Sequence, residues 1–234
     1  MKLVMFDMDG TLTDAFAIEE NCYVRAIQDA LGIPDVRIDW HSYPHTSSTY
    51  CLDTVVQQAR GRRATPDEAR AVQTRIIEIM DEATCRHGRR TREVPGAAAA
   101  VQELLRLGYG VAIASGDWEA TARHKLASGG IPYENLPAAY SDVAYARTEI
   151  MQAALDRAAA HYGCAHFERV VYVGDAAWDV RACHELAWPL VIVGEGADAS
   201  RFLAEGVSHV IPHYLEIAKF LTAIEQASSP RPAP

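Results

Sequence analysis

The sequence contains no C-x-x-C pair, no hydrophobic run long enough to cross a bilayer and no stripe of Lys and Arg. Its five cysteines, Cys22, Cys51, Cys85, Cys164 and Cys183, are odd in number and scattered, which argues against a disulfide framework and a cysteine-paired zinc site. The formal charge of −9 comes from acids spread along the chain, so neither nucleic acid nor an anionic membrane is an expected partner. The apolar run Leu3 to Phe6 breaks at Asp7 and is too short for a signal-peptide core. Lysine is absent between Lys2 and Lys125, which excludes an amine nucleophile from that stretch. The expectation is a soluble protein of the reducing cytoplasm, monomer or homodimer, whose partner is a small molecule.

Four short apolar runs stand out: Leu3 to Phe6 (LVMF), Gly110 to Ala114 (GVAIA), Val170 to Val173 (VVYV) and Leu190 to Val193 (LVIV). Each meets Gly, Ser or Asp at its end, the pattern of parallel strands buried on both faces. Helical patterns cover residues 97–107, 118–128, 148–162 and 179–187, and strands alternating with helices imply an α/β sheet with right-handed crossovers. Residues 15 to 90 break the alternation. They hold three helical patterns, 17–31, 48–60 and 66–87, the last placing Val72, Ile76, Ile79, Met80 and Ala83 on one face. A crossover needs only one helix, so this block is expected to be an insert. The expected fold class is therefore α/β: a Rossmann-like parallel-sheet core with helices on both faces, residues 1–14 and 91–227, plus a small α-helical cap domain, residues 15–90. A disordered tail is expected over 228–234. The link RHGRRTREVPG, with Arg86, Arg89, Arg90 and Arg92, is either a solvated hinge or an attractor of anions.

Ligands of an open parallel sheet bind beyond the carboxyl ends of its strands. Asp7 and Asp9 follow the first strand, Ser115 and Gly116 the second, and Asp175 with Asp179 the third. Four carboxylates in one crevice repel and raise one another's pKa unless a cation sits among them. Hard oxygen ligands favour Mg²⁺, which takes one or two carboxylates together with substrate phosphate. In extended backbone Asp7 and Asp9 face the same side, and Gly10 then permits a sharp turn. The pattern points to a magnesium-dependent phosphoryl site.

FDMDGTLTD, IASG at 113–116 and VGDAAWD at 173–179 resemble motifs one, two and four of the haloacid dehalogenase superfamily. The helical insert resembles that family's first cap type, as in its phosphoglycolate phosphatase and β-phosphoglucomutase-like members. The resemblance implies that Asp7 is the nucleophile that forms an aspartyl-phosphate and Asp9 the acid and base. It implies Mg²⁺ held by Asp7, the backbone carbonyl of Asp9 and Asp175, with Asp179 acting through water. Thr11, Ser115 and the amides near Gly116 would bond the phosphoryl oxygens. The family's third motif is normally a lysine, whereas the segment here reads SDVAYARTEIMQ. Arg147 occupies the corresponding place, a fixed cation that is not equivalent to lysine. Lys125 is the rival, on an amphipathic helix where a solvated face is the usual fate of a lysine.

Other residues have two readings. Ser115 or Asp117 could also cap the following helix. Trp178 is packed core beside the site or a platform for substrate. Residues 39–50 form a polar loop with buried aromatics or a specificity loop, with Tyr43 and His45 as its candidate contacts. The leading function is a phosphatase acting through an aspartyl-phosphate on a small phosphorylated metabolite. A phosphomutase of the β-phosphoglucomutase type shares the same motifs, and a silent metabolite-binding module is the alternative from another class. Asp9 and the DGT turn argue against a dehalogenase.

Overall fold

A computed structural model describes residues 1–14, 16–38, 40 and 43–230, with residues 16–21 described by their backbone. The chain runs β1 (Lys2–Phe6), β2 (Thr13–Asp14), α1 (Phe16–Leu31), α2 (Ser48–Arg60), α3 (Pro66–His87), β3 (Arg92–Glu93), α4 (Ala97–Arg106), β4 (Gly110–Ala114) and α5 (Glu119–Gly129). It continues through β5 (Ala138–Ala139), α6 (Arg147–Tyr162), β6 (Arg169–Gly174), α7 (Ala177–Leu186), β7 (Leu190–Val193), α8 (Gly196–Ala204), β8 (His209–Ile211) and α9 (Ile217–Gln226).

Six parallel strands form one sheet in the order β5-β4-β1-β6-β7-β8. From β1 the chain builds first to one side, through β4 and β5, then returns to the other through β6, β7 and β8. That reversal opens a crevice at the carboxyl end of β1. The strands are buried on both faces, as their unbroken apolar runs require. Val4 and Phe6 face a cluster with Leu104, Leu126 and Phe220, while Leu3 and Met5 face one with Met151, Cys183 and Phe202. Helices therefore cover both sides of a Rossmann-like sheet. β5, β8, α8 and α9 were not expected from the sequence; strands of two and three residues carry too few positions for a period to register.

Helices α1, α2 and α3 lie between β2 and β3 and gather their own cluster, including Ile27, Val56, Val72, Ile76 and Met80. β2 and β3 pair antiparallel, so the two crossings between insert and sheet are stitched side by side. Val94 N–H donates to the Leu12 carbonyl (3.0 Å) just beyond this ribbon. Half of the arginine-rich link is thus anchored, although Arg86, Arg89, Arg90 and Arg92 are themselves exposed. At the other end, Ser228 to Pro230, assigned to the tail from sequence, pack back on the core. The Ser228 carbonyl accepts from Leu190 N–H (3.2 Å), and the Pro230 carbonyl lies 3.1 Å from His184 Nδ1. The remaining tail residues, 231–234, lie outside the described ones. Among the described residues no cysteine is in a disulfide, and no helix is long and apolar enough to cross a membrane.

The start of α3 shows how local sequence sets an element. Thr65 Oγ1 accepts from Glu68 N–H (3.2 Å), Glu68 Oε2 accepts from Thr65 N–H (2.8 Å), and Pro66 fills the first helical turn. Thr65→Ala is expected to cost about 1 kcal/mol and lower Tm by roughly 3 °C. A thermal melt checks it, and an unchanged Tm would mean that the Arg62–Glu68 ion pair holds this turn alone.

Candidate active site

The carboxyl end of β1 sets the first acids. Asp7 N–H donates to the Val173 carbonyl (2.8 Å), extending the sheet by one residue, and its side chain is buried. The chain then reverses at Gly10, whose φ of 78° is a conformation that side chains disfavour. Gly10 N–H donates to the Thr13 carbonyl (2.7 Å), and the Met8 carbonyl accepts from Leu12 and Thr13. Thr13 Oγ1 can thereby donate to Asp9 Oδ1 (3.0 Å).

The next acids come from the end of β6. Asp179, in the first turn of α7, accepts from the N–H groups of Asp175 and Ala176, each at 3.1 Å. This folds its carboxylate over Gly174, where a Cβ would stand 2.5 Å from Asp179 Oδ2. Gly174→Ala is therefore expected to displace Asp179, destabilising the fold by about 1–3 kcal/mol. Normal stability with intact activity would show that Asp179 has another position open to it.

Asp7, Asp175 and Asp179 each offer an oxygen within 4.8 Å of the others. Asp179 Oδ1 is buried with no hydrogen-bond partner among the described residues, and Arg147 Nε stands 3.8 Å from it. An acceptor left in that state fits a hard divalent cation, as does the all-carboxylate donor set. Thr11 Oγ1 lies at the edge of the group, 3.5 Å from Asp175 Oδ1.

Both candidate cations reach the site, in different roles. Arg147, at the start of α6, donates from Nη1 to Asp7 Oδ1 (3.1 Å). Lys125 is not on a solvated face: its side chain is 2 % exposed, with Nζ 2.8 Å from Asp9 Oδ2 and 2.9 Å from Asp117 Oδ2. Thr121, Ala122, Lys125 and Leu126 share the buried face of α5, and that spacing was the available signal. Asp117, considered in the sequence only as a helix cap, is the second acid that Lys125 meets. Its Oδ1 accepts from Trp118 N–H (2.7 Å), Thr121 Oγ1 (2.6 Å) and Ser48 Oγ (3.2 Å), the last from the insert.

Ser115 is buried, and its Oγ accepts from Asp117 N–H (3.2 Å), leaving its own proton to donate elsewhere. Gly116 must lack a side chain, because a Cβ there would meet the Thr46 carbonyl at 2.6 Å. Its carbonyl accepts from Ser48 N–H (2.7 Å), so residues 46–48 of the insert lie directly on the Ser115–Gly116 turn. Between insert and sheet this encloses a cavity of about 370 Å³, reached by Asp7, Asp9, Ser115, Gly116, Lys125 and Arg147. Trp178 also lines it and is only partly buried, so it is wall rather than core. Tyr43 and His45 are not among the lining residues. Their rings pack edge-on against Tyr50, at 6.1 and 5.1 Å between centroids, and Trp40 and Thr46 line the cavity from that segment instead.

Burial dominates the titration of these acids. It raises Asp7 from 3.8 to about 7 against the opposing charge of Arg147, pushes Asp175 well above the carboxylate range, and raises Asp179, again opposed by Arg147. Burial likewise lifts Asp117 to about 7 and lowers Lys125, which Asp9 opposes. An acid raised on folding favours the fold only while protonated, so the cluster's cost is absent below the unfolded value and grows as pH climbs through 7. With a chelator present, Tm is expected to fall from about pH 5 to about pH 8. Millimolar magnesium should then raise it by more at the higher pH. A magnesium effect independent of pH would count against a cation among these carboxylates.

Comparison with known proteins gives a family and a fold. The family model of haloacid dehalogenase-like hydrolases matches residues 1–186. No curated protein matches the sequence. Among solved structures, a hydrolase from Pseudomonas syringae is similar with a TM-score of 0.68 at 22% identity, covering 97% of this chain and 100% of its own. A putative β-phosphoglucomutase from Bacteroides vulgatus reaches 0.65 at 20%, covering 97% and 91%. CbbY from Rhodobacter sphaeroides, solved in complex with phosphate, reaches 0.62 at 18%, covering 95% and 98%.

Proposed function

We propose a reaction from one premise: the chain belongs to the haloacid dehalogenase-like hydrolases. The reaction is hydrolysis of a small phosphomonoester by a magnesium-dependent phosphatase through an aspartyl-phosphate. The observation that carries it is the convergence of Asp7, Asp175 and Asp179 within 4.8 Å, with Asp9 two residues beyond Asp7 on the same crevice.

Asp7 is the nucleophile. Arg147 holds its Oδ1 and so fixes the rotamer, leaving Oδ2 to attack phosphorus. As the ester P–O bond breaks, Asp9 gives its proton to the leaving oxygen; it then takes a proton from the water that cleaves the acyl phosphate, releasing inorganic phosphate and restoring Asp7. Lys125 and Thr13, bonded to opposite oxygens of Asp9, set the direction in which that carboxyl points. Ser115, Thr11 and the amides near Gly116 donate to phosphoryl oxygens, where charge develops. Asp7, the Asp9 carbonyl and Asp175 would hold Mg²⁺, with Asp179 behind them, and the ion supplies positive charge against those same oxygens. Residues 46–48 of the insert, seated on the Ser115–Gly116 turn, shield the reaction from bulk water.

Phosphate release from an aryl phosphate and an alkyl phosphate, with magnesium and with chelator, tests the reading. Turnover that requires the metal is expected. Absence of turnover of either ester by magnesium-loaded, folded protein would end it.

A further inference from the structure

The cavity has two unlike ends. At the sheet end stand Asp7, Ser115 and Arg147. At the insert end stand Tyr23 of α1, Ile76 of α3 and Trp40, with Trp178 at the side. Tyr23 is locked there: its ring stacks on Trp118 (5.5 Å, 12°) and meets Trp40 edge-on (5.3 Å, 70°), and its hydroxyl donates to the Ser48 carbonyl (2.5 Å). The wall is therefore aromatic, apolar and rigid.

Among the described residues lining the cavity, the Lys and Arg are Lys125 and Arg147, and each already stands between two aspartates. Arg147 faces Asp7 and Asp179, and Lys125 faces Asp9 and Asp117. The residues between 15 and 42 whose side chains are not described include no Lys or Arg in sequence. Of the described hydroxyl groups that line the cavity from the insert, Ser47 is 2 % exposed and its Oγ has no hydrogen-bond partner among the described residues. It is a neutral hydrogen-bonding group.

We propose that the cavity selects a phosphomonoester whose leaving group is uncharged, with an apolar or aromatic face and one hydrogen-bonding group for Ser47, and rejects a leaving group that bears a second phosphate or a carboxylate. The inference rests on the phosphatase reading for the seat of the phosphoryl group. A second anion would lose its hydration against Tyr23, Trp40 and Ile76 and meet the Asp117 carboxylate, while both cations remain committed. The volume, at the low end for ligand sites, suits one small ring beside a phosphoryl group. Transfer of a phosphoryl group between two hydroxyls of one molecule passes through a bisphosphate, so the same cavity disfavours a mutase.

A matched pair of phosphonates, which contain no hydrolysable ester, tests this on the wild-type protein with magnesium present: para-carbamoylbenzylphosphonate and its para-carboxy counterpart. The two differ in charge and hardly in size. Calorimetry is expected to show the carbamoyl compound binding at least about 30-fold more tightly. Equal or tighter binding of the carboxylate, or no binding of the carbamoyl compound, overturns the inference. Turnover of the corresponding benzyl phosphates is read separately. Discrimination between the phosphonates without hydrolysis of either phosphate would leave the selectivity standing and sink the phosphatase reading; hydrolysis with preference for the carboxylate would do the reverse.

Discussion

Asp7→Asn is expected to lower phosphate release by at least about 10⁴-fold while leaving the fold in place. The substitution keeps the size and planarity of the side chain but replaces the attacking oxygen with a neutral amide, so the covalent route closes. Arg147 can still bond the remaining carbonyl oxygen, since its guanidinium donates and the amide oxygen accepts. The check is a phosphate-release assay beside a circular dichroism melt. Retention of more than about a tenth of wild-type turnover would place the nucleophile elsewhere, because loss of a positioning or charge effect alone is seldom so mild at a nucleophile. Mass spectrometry of wild-type protein quenched in acid during turnover should show one added phosphoryl group, absent in Asp7→Asn.

The second large effect belongs to Lys125→Met. Lys125 is the shared cation of Asp9 and Asp117, and Asp117 in turn accepts from Ser48 of the insert, so one ammonium ties the proposed acid to the covering segment. Without it Asp9 keeps, among the described residues, only the Thr13 bond and loses its direction. The expected loss in kcat/KM is about 100-fold for an alkyl phosphate, which needs a proton on its leaving oxygen, and smaller for p-nitrophenyl phosphate, which does not. Equal losses on both esters would reduce Lys125 to a structural role. Removing one member of a buried pair also costs about 3–5 kcal/mol, so Lys125→Met needs a companion. Lys125→Met combined with Asp117→Asn removes the stranded charge; it should regain stability and keep the dependence on leaving group. Lys125→Arg should recover part of the activity, limited by the different reach of a guanidinium.

Wherever a property follows from neighbours in the chain, it was legible in advance. The runs at β1, β4, β6 and β7 are apolar because both faces of those strands are covered, and the same runs place Asp7, Ser115 and Asp175 at one sheet edge. Helices α2 and α3 begin and end where the helical patterns 48–60 and 66–87 put them. The acid cluster was likewise implied by spacing: Asp179 returns to Asp175 because four residues make one helical turn.

Only the tertiary structure decided which partner each charge took. Arg147 and Lys125 are both cations on helical segments, and nothing local tells one that it meets Asp7 and the other that it meets Asp9 and Asp117. Burial decided the rest. Tyr43 and His45 turn toward Tyr50 and away from the cavity, while Trp178, Tyr23 and Ser47 become its wall. A sequence states which groups follow a strand, because chain direction and sheet order fix that edge. The pairing of charges and the lining of a cavity depend on packing between segments distant in the chain, here the insert against the sheet, and that packing is a property of the whole fold.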